Sequence, residues 1–137
     1  MSSHSTRRPR SIEVEGVNHG QAPIPMGARV GNMLFSSGIH GADPATGKVP
    51  EGDVQSQARF AFANMRSLLT NGGATLEDVV RMTVHVKDNS ARPHVNEHWL
   101  ACFPDPHDRP ARHIVVTDLP GALLVQLEIV AVIQEAP

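Results

Sequence analysis

The sequence has one cysteine and no tyrosine. A single thiol, Cys102, excludes an internal disulfide and suits a reducing compartment. Set in the apolar stretch Trp99-Leu100-Ala101-Cys102-Phe103, it reads as a small buried hydrophobe. Aromatic residues make up 4% of the chain, and 14 acidic residues slightly outnumber 12 basic ones. That leaves neither a stacking platform nor a basic stripe for a nucleic acid. No run nears the roughly 18 apolar residues of a membrane span. Gly72-Gly73 falls where a helix should stop rather than start, so it is no phosphate loop. No G-x-S-x-G elbow surrounds Ser37, which leaves a hydrolase triad unsupported. Residues 1–10 are rich in Ser and Arg, but no apolar stretch follows them, which excludes a secretory signal. Residues 1–15 are expected to form a disordered tail and 16–137 a single domain, with the cytoplasm as the location by elimination.

What the chain does have is alternation of strand and helix patterns. Ala28-Arg29-Val30 and Met33-Leu34-Phe35 flank Gly31-Asn32, a two-residue hairpin turn. Asp53 is a plausible N-cap for a helix whose apolar stripe is Val54, Ala58, Ala61, Met65 and Leu68, at three- and four-residue steps. Asn71-Gly72-Gly73 ends it. Val80, Met82, Val84 and Val86 then alternate with Arg81, Thr83, His85 and Lys87, the pattern of a strand covered on one face. A second helix is expected to open at Ser90 and Pro93, with Val95, Trp99 and Phe103 inward. Residues 113–117 and 123–134 read as two last strands joined by Leu119-Pro120-Gly121. The order is ββαβαββ, an α+β fold with a mixed sheet and two helices on one face. The other sheet face must find cover, which sheets of this size usually gain by oligomerising.

Two patterns invite chemistry. His94-Val95-Asn96-Glu97-His98 fits H-x-x-E-H, whose histidines share a helical face. A catalytic zinc needs a third protein ligand, and only Glu128 lies in a strong element beyond it, so a solvated helix face is the better reading. The remaining histidines are scattered; His113 should point away from its neighbour Arg112 by strand alternation. Arg112, at the entry to a strand, can clamp a carboxylate through two parallel hydrogen bonds. As a plain surface residue it would pair instead with Asp108 or Asp118.

The sequence resembles the reactive-intermediate deaminase (RidA/YjgF) family over about residues 20–134. Ser37-Gly38, Asp43-Pro44-Ala45-Thr46-Gly47, Gln57, Asn64, Gly72-Gly73 and the run from Asp78 to Val84 follow the family's order. So do Val95-Asn96, Phe103, Pro110-Ala111-Arg112, Leu119-Pro120 and the run from Glu128 to Val132. The resemblance implies a chorismate-mutase-like fold and a homotrimer with clefts between subunits. It implies hydrolysis of 2-imino and 2-enamino acids to 2-keto acids and ammonia, with no metal and no organic cofactor. The partners would be a small carboxylate-bearing metabolite and further copies of the chain, with no nucleic acid and no membrane.

Residue by residue, the resemblance assigns Arg112 to the substrate carboxylate, and Ser37, Gly38 and Asn96 to the cleft. The family's catalytic glutamate falls on Gln126, which can hold a water but cannot accept its proton. Glu128 lies two residues on, on the same strand face and about 7 Å away; it is either the acid that substitutes or the structural acid that many relatives have there. The family's cleft tyrosine becomes Ile24 and its frequent cysteine becomes Ile114, changes that point to a larger or more apolar acid. The alternative is a binding protein or metabolite sensor that kept the cleft and has weak catalysis.

Overall fold

In the computed structural model the described residues are 9–134. Two helices and seven strands form within them: β1 (Ser11–Ile12), β2 (Gly27–Val30), β3 (Met33–Ser36), β4 (Ile39–His40), α1 (Val54–Asn71), β5 (Val79–Val86), α2 (Arg92–Cys102), β6 (Ala111–Val116) and β7 (Val125–Val132). They make one sheet of order β1-β2-β3-β7-β5-β6, with β4 also on β7. All pairings are antiparallel except β5 with β6, which α2 connects as a crossover.

The apolar alternation decides which face the helices take. Leu34, Ile39, Met82, Val84, Leu127 and Ile129 point one way and are buried with Ala58, Ala61, Met65 and Leu68 of α1 and Val95 and Trp99 of α2. Burying each large apolar side chain in that layer contributes about 1.5–3 kcal/mol. Asp53 caps α1 by accepting from the Ser56 N–H at 3.0 Å. Gly72 and Gly73 close the helix, and Gly73 has φ of 78° as a left-handed stop requires. The opposite sheet face leaves Met33 and Phe35 42% and 49% exposed, an apolar patch rather than a scatter. Among the described residues, no helix is long and apolar enough to cross a membrane.

Four expectations need correction. Part of the segment expected as a tail is built into the domain: Ser11 and Ile12 pair with β2, and Ile12 and Val14 are buried. An apolar residue every second position gave them no visible strand length. Residues 1–8 lie outside the described residues. In β5 the inward residue at the start is Val79, not Val80, which is 45% exposed. A bulge between Val79 and Arg81 shifts the alternation by one. The helix near Ser90 begins at Arg92, because Asp88 caps a separate turn of 3-10 helix over Asn89–Ala91. Finally, β4 was not expected; two residues are too short to show a period.

Two buried polar side chains of α1 fasten the loops. Asn64 donates from Nδ2 to the carbonyls of His40 and Ala42, at 3.0 and 2.9 Å. Gln57 donates from Nε2 to Pro50 and Ala122 and accepts from the Leu124 N–H. Their partners are carbonyls and an amide that the loops cannot satisfy themselves.

Candidate functional site

Arg112 sits on the edge strand β6 in register with Met82, so its side chain leaves on the helix-covered face. There its Nη1 donates to Asn96 Oδ1 at 2.9 Å, and its guanidinium lies 4.8 Å from the centre of the Trp99 ring. Asn96 and Trp99 are three apart on α2, neighbours on one helical face. Burial first, and then the like charge of Arg92, push the Arg112 pKa down; a guanidinium remains cationic nonetheless. Among the described residues no carboxylate lies within salt-bridge reach of Arg112, Asp108 and Asp118 included. Ile114, also on the helix side, is half-buried against the core.

Gln126, Glu128 and Gly38 gather elsewhere. Gln126 is in register with His40 on one side and His85 on the other, and Glu128 with Thr83. These positions alternate with the buried Leu127 and Ile129, so they point to the open face. Both β3 and β4 run along the same side of β7, and between them the chain steps out of the ladder. The Ser36 hydroxyl takes over there, accepting from the Ile129 N–H at 2.8 Å. The step brings Gly38 against the Gln126 amide: a Cβ on Gly38 would stand 2.5 Å from Gln126 Nε2. Ser37 is spent within the chain, its N–H on Met26 O and its hydroxyl on Pro25 O. Ile24, 49% exposed, precedes Pro25 in the loop between β1 and β2. Glu128 Oε1 is 2.7 Å from His85 Nε2.

The site residues thus form two groups on opposite faces of the sheet. Arg112, Asn96 and Ile114 belong to one; Gly38, Gln126 and Glu128 belong to the other. His113 joins the open face, in register with Thr83. Sequence reasoning placed Trp99 only in the core and missed its contact with Arg112. It also passed over Arg92, although Arg92, Asn96 and Trp99 stand at i, i+4 and i+7. His98 of the H-x-x-E-H run stacks on Phe62 with ring centres 5.6 Å apart. Among the described residues, no three His, Cys, Asp or Glu side chains converge on one point. Cys102 is half-buried, burial raises its pKa, and Arg66 Nη2 approaches its sulfur at 3.5 Å.

His19 and His40 pack edge to face beside Gly38, ring centres 5.7 Å apart. Their Nε2 atoms lie 2.8 Å from Gly38 O and 2.7 Å from Asn18 O, so each Nε2 carries a hydrogen. Burial lowers the His40 pKa from its usual 6.5, against the bond to Asn18, which raises it, and with His19, which lowers it. The unfolded chain therefore takes up the His40 proton first, and stability present above pH 6.5 declines as pH falls below it. A His40→Gln variant is expected to flatten the drop in melting temperature between pH 7 and pH 5. Equal drops in both proteins would clear His40 of that role.

The comparisons with known proteins agree with this architecture. The family model described as Endoribonuclease L-PSP matches residues 22–133. The 2-iminobutanoate/2-iminopropanoate deaminase of Escherichia coli K12 is 34% identical over 125 residues, covering 90% of this chain and 97% of that protein. The crystal structure of E. coli TdcF with bound serine superposes with a TM-score of 0.80 at 30% identity, covering 91% of this chain and 99% of that one. RidA from the Antarctic bacterium Psychrobacter sp. PAMC 21119 gives the same TM-score at 30% identity, covering 90% of this chain and 99% of that one. With the family model spanning the strands and helices that carry both residue groups, the chain belongs to the RidA/YjgF family, the family described as Endoribonuclease L-PSP.

Proposed function

We propose that this chain is an imine and enamine deaminase, hydrolysing 2-imino and 2-enamino acids to 2-keto acids and ammonia in a cleft between copies of itself. The observation that carries the reading is Arg112. Its guanidinium is oriented by Asn96 and backed by Trp99, yet no carboxylate of the described chain neutralises it. Such a group fixes a substrate carboxylate by paired hydrogen bonds and so sets the position of the neighbouring C=N bond. The deaminase name carried by a relative at 34% identity supports the reaction class.

Arg112 and Gln126 face opposite ways, so a single chain does not hold one small acid between them. A homotrimer in which each open sheet face is covered by a neighbour supplies Arg112 from one copy and Gly38 and Gln126 from another. The exposed Met33 and Phe35 support such a cover. In that cleft the Gln126 amide holds the water. The water oxygen bonds to C2 while the C=N π pair moves to nitrogen. Its proton passes to Glu128, which His85 holds at 2.7 Å, and then to the amine. The carbinolamine then passes its hydroxyl proton to nitrogen through Glu128; the O–H electron pair forms the carbonyl as the C–N bond breaks, and ammonia leaves. The step needs water alone as co-reactant. The lone thiol of Cys102 supports a reducing, cytoplasmic location.

Gln126 also favours a second reading, a metabolite-binding protein with weak catalysis, since an amide accepts no proton near neutral pH. One assay separates the two. An amino-acid oxidase generates the imine, and keto-acid release is timed with and without the protein. Acceleration is expected for the deaminase; an unchanged rate with saturable keto-acid binding would favour the sensor. Gln126→Glu is expected to raise the rate at least about tenfold, because a positioned general base contributes roughly 10²–10⁴-fold. No gain would show that the glutamine does not limit the reaction.

A further inference from the structure

We propose that Arg92 is a second anion-recognising residue of the Arg112 cleft, and that the ligand class is a diacid: a 2-imino or 2-keto acid with another carboxylate at its far end. The proposal rests on the reading of Arg112 as a carboxylate clamp and narrows its substrate. Arg92 opens α2, four residues before Asn96 and seven before Trp99. Those spacings put all three on one helical stripe, and the latter two already meet Arg112. Arg92 is exposed, and its Nε donates to Asn89 Oδ1 at 3.0 Å, which holds the side chain in place.

Unpaired surface arginines are common, but these two are neighbours. The charge of Arg92 reaches Arg112 and works against it. Among the described residues, neither cation has a carboxylate within salt-bridge distance. Two like charges side by side raise the energy of the empty cleft, and a ligand bearing two negative charges relieves it. A monoacid neutralises one guanidinium and leaves the other. The apolar replacements Ile24 and Ile114 do not oppose this reading. Ile114 packs against the core, and Ile24, next to Pro25 whose carbonyl accepts from the Ser37 hydroxyl, belongs to the Gly38 side of the shared cleft, opposite the side that carries Arg112 and Arg92.

The test is calorimetric titration of the full chain with 2-oxoglutarate, its 5-methyl ester and 2-oxobutanoate. The ester keeps the length of the diacid and removes its second charge. The expected result is that 2-oxoglutarate binds at least tenfold more tightly than the ester. Arg92→Gln should abolish that preference, weakening 2-oxoglutarate far more than the ester. Arg112→Ala should weaken all three acids. Equal affinities for diacid and ester in the unmodified protein would overturn the proposal while leaving the clamp intact. So would an Arg92→Gln variant that loses oligomer mass in light scattering but keeps the ligand ranking, because Arg92 would then be a subunit contact. If Arg112→Ala binds all three acids as before, the clamp reading itself fails, and the diacid proposal with it.

Discussion

Arg112→Ala is expected to lower kcat/KM for an imino acid, and affinity for the matching keto acid, about 100-fold. The size of that loss reflects what the guanidinium offers. Hydrogen bonds to charged groups contribute roughly 1.5–3 kcal/mol each in net terms, and two parallel ones act on one carboxylate. Losing about 3 kcal/mol corresponds to about two orders of magnitude. The fold should survive, because Arg112 lies on the edge strand β6 and the side chains it touches, Asn96 and Trp99, stay anchored on α2. Unchanged binding in a folded Arg112→Ala protein, checked by titration and circular dichroism, would remove this residue from the site.

Gln57→Leu is expected to have the largest effect on stability, with binding residues untouched. Gln57 is fully buried, and its amide joins the loop before α1 to the loop between β6 and β7. Leucine fits the volume but offers no partners. It strands the Pro50 and Ala122 carbonyls and the Leu124 N–H, each at roughly 1–3 kcal/mol when left unpaired. A loss of about 3 kcal/mol or more is expected, which corresponds to roughly a 10 °C fall in melting temperature for a domain of this size. A fall of under about 2 °C in a calorimetric scan would show that the loops find other partners.

The stretches that were legible are those with a strong local period. The stripe from Val54 to Leu68 and the cap at Asp53 announced α1, and the Gly31-Asn32 turn announced the β2–β3 hairpin. Alternation also separated Arg112 from His113. The doublet Val79-Val80 misled because a bulge is a tertiary event: pairing to β7 decides which valine turns inward. Resemblance supplied Gly38 and Gln126 as names without geometry, and singled out Arg112 over its reading as a plain surface residue. That Arg112 rests on Asn96, sixteen residues away, and Glu128 on His85, forty-three away, depends on long-range packing that no spacing encodes. The same holds for the separation of the two groups on opposite faces. It follows from register: β6 pairs Arg112 with the inward Met82, and β7 pairs Gln126 with the outward His85.

That separation makes the shared cleft directly testable by mixing subunits. Arg112→Ala and Gln126→Leu chains, carrying different tags, are purified alone and as co-expressed mixed oligomers, and keto-acid release is timed for each. A cleft built from two copies predicts that each variant alone is strongly impaired, whereas mixed oligomers regain activity, since some of their clefts hold an intact Arg112 facing an intact Gln126. Mixed oligomers as impaired as their parents would contradict it.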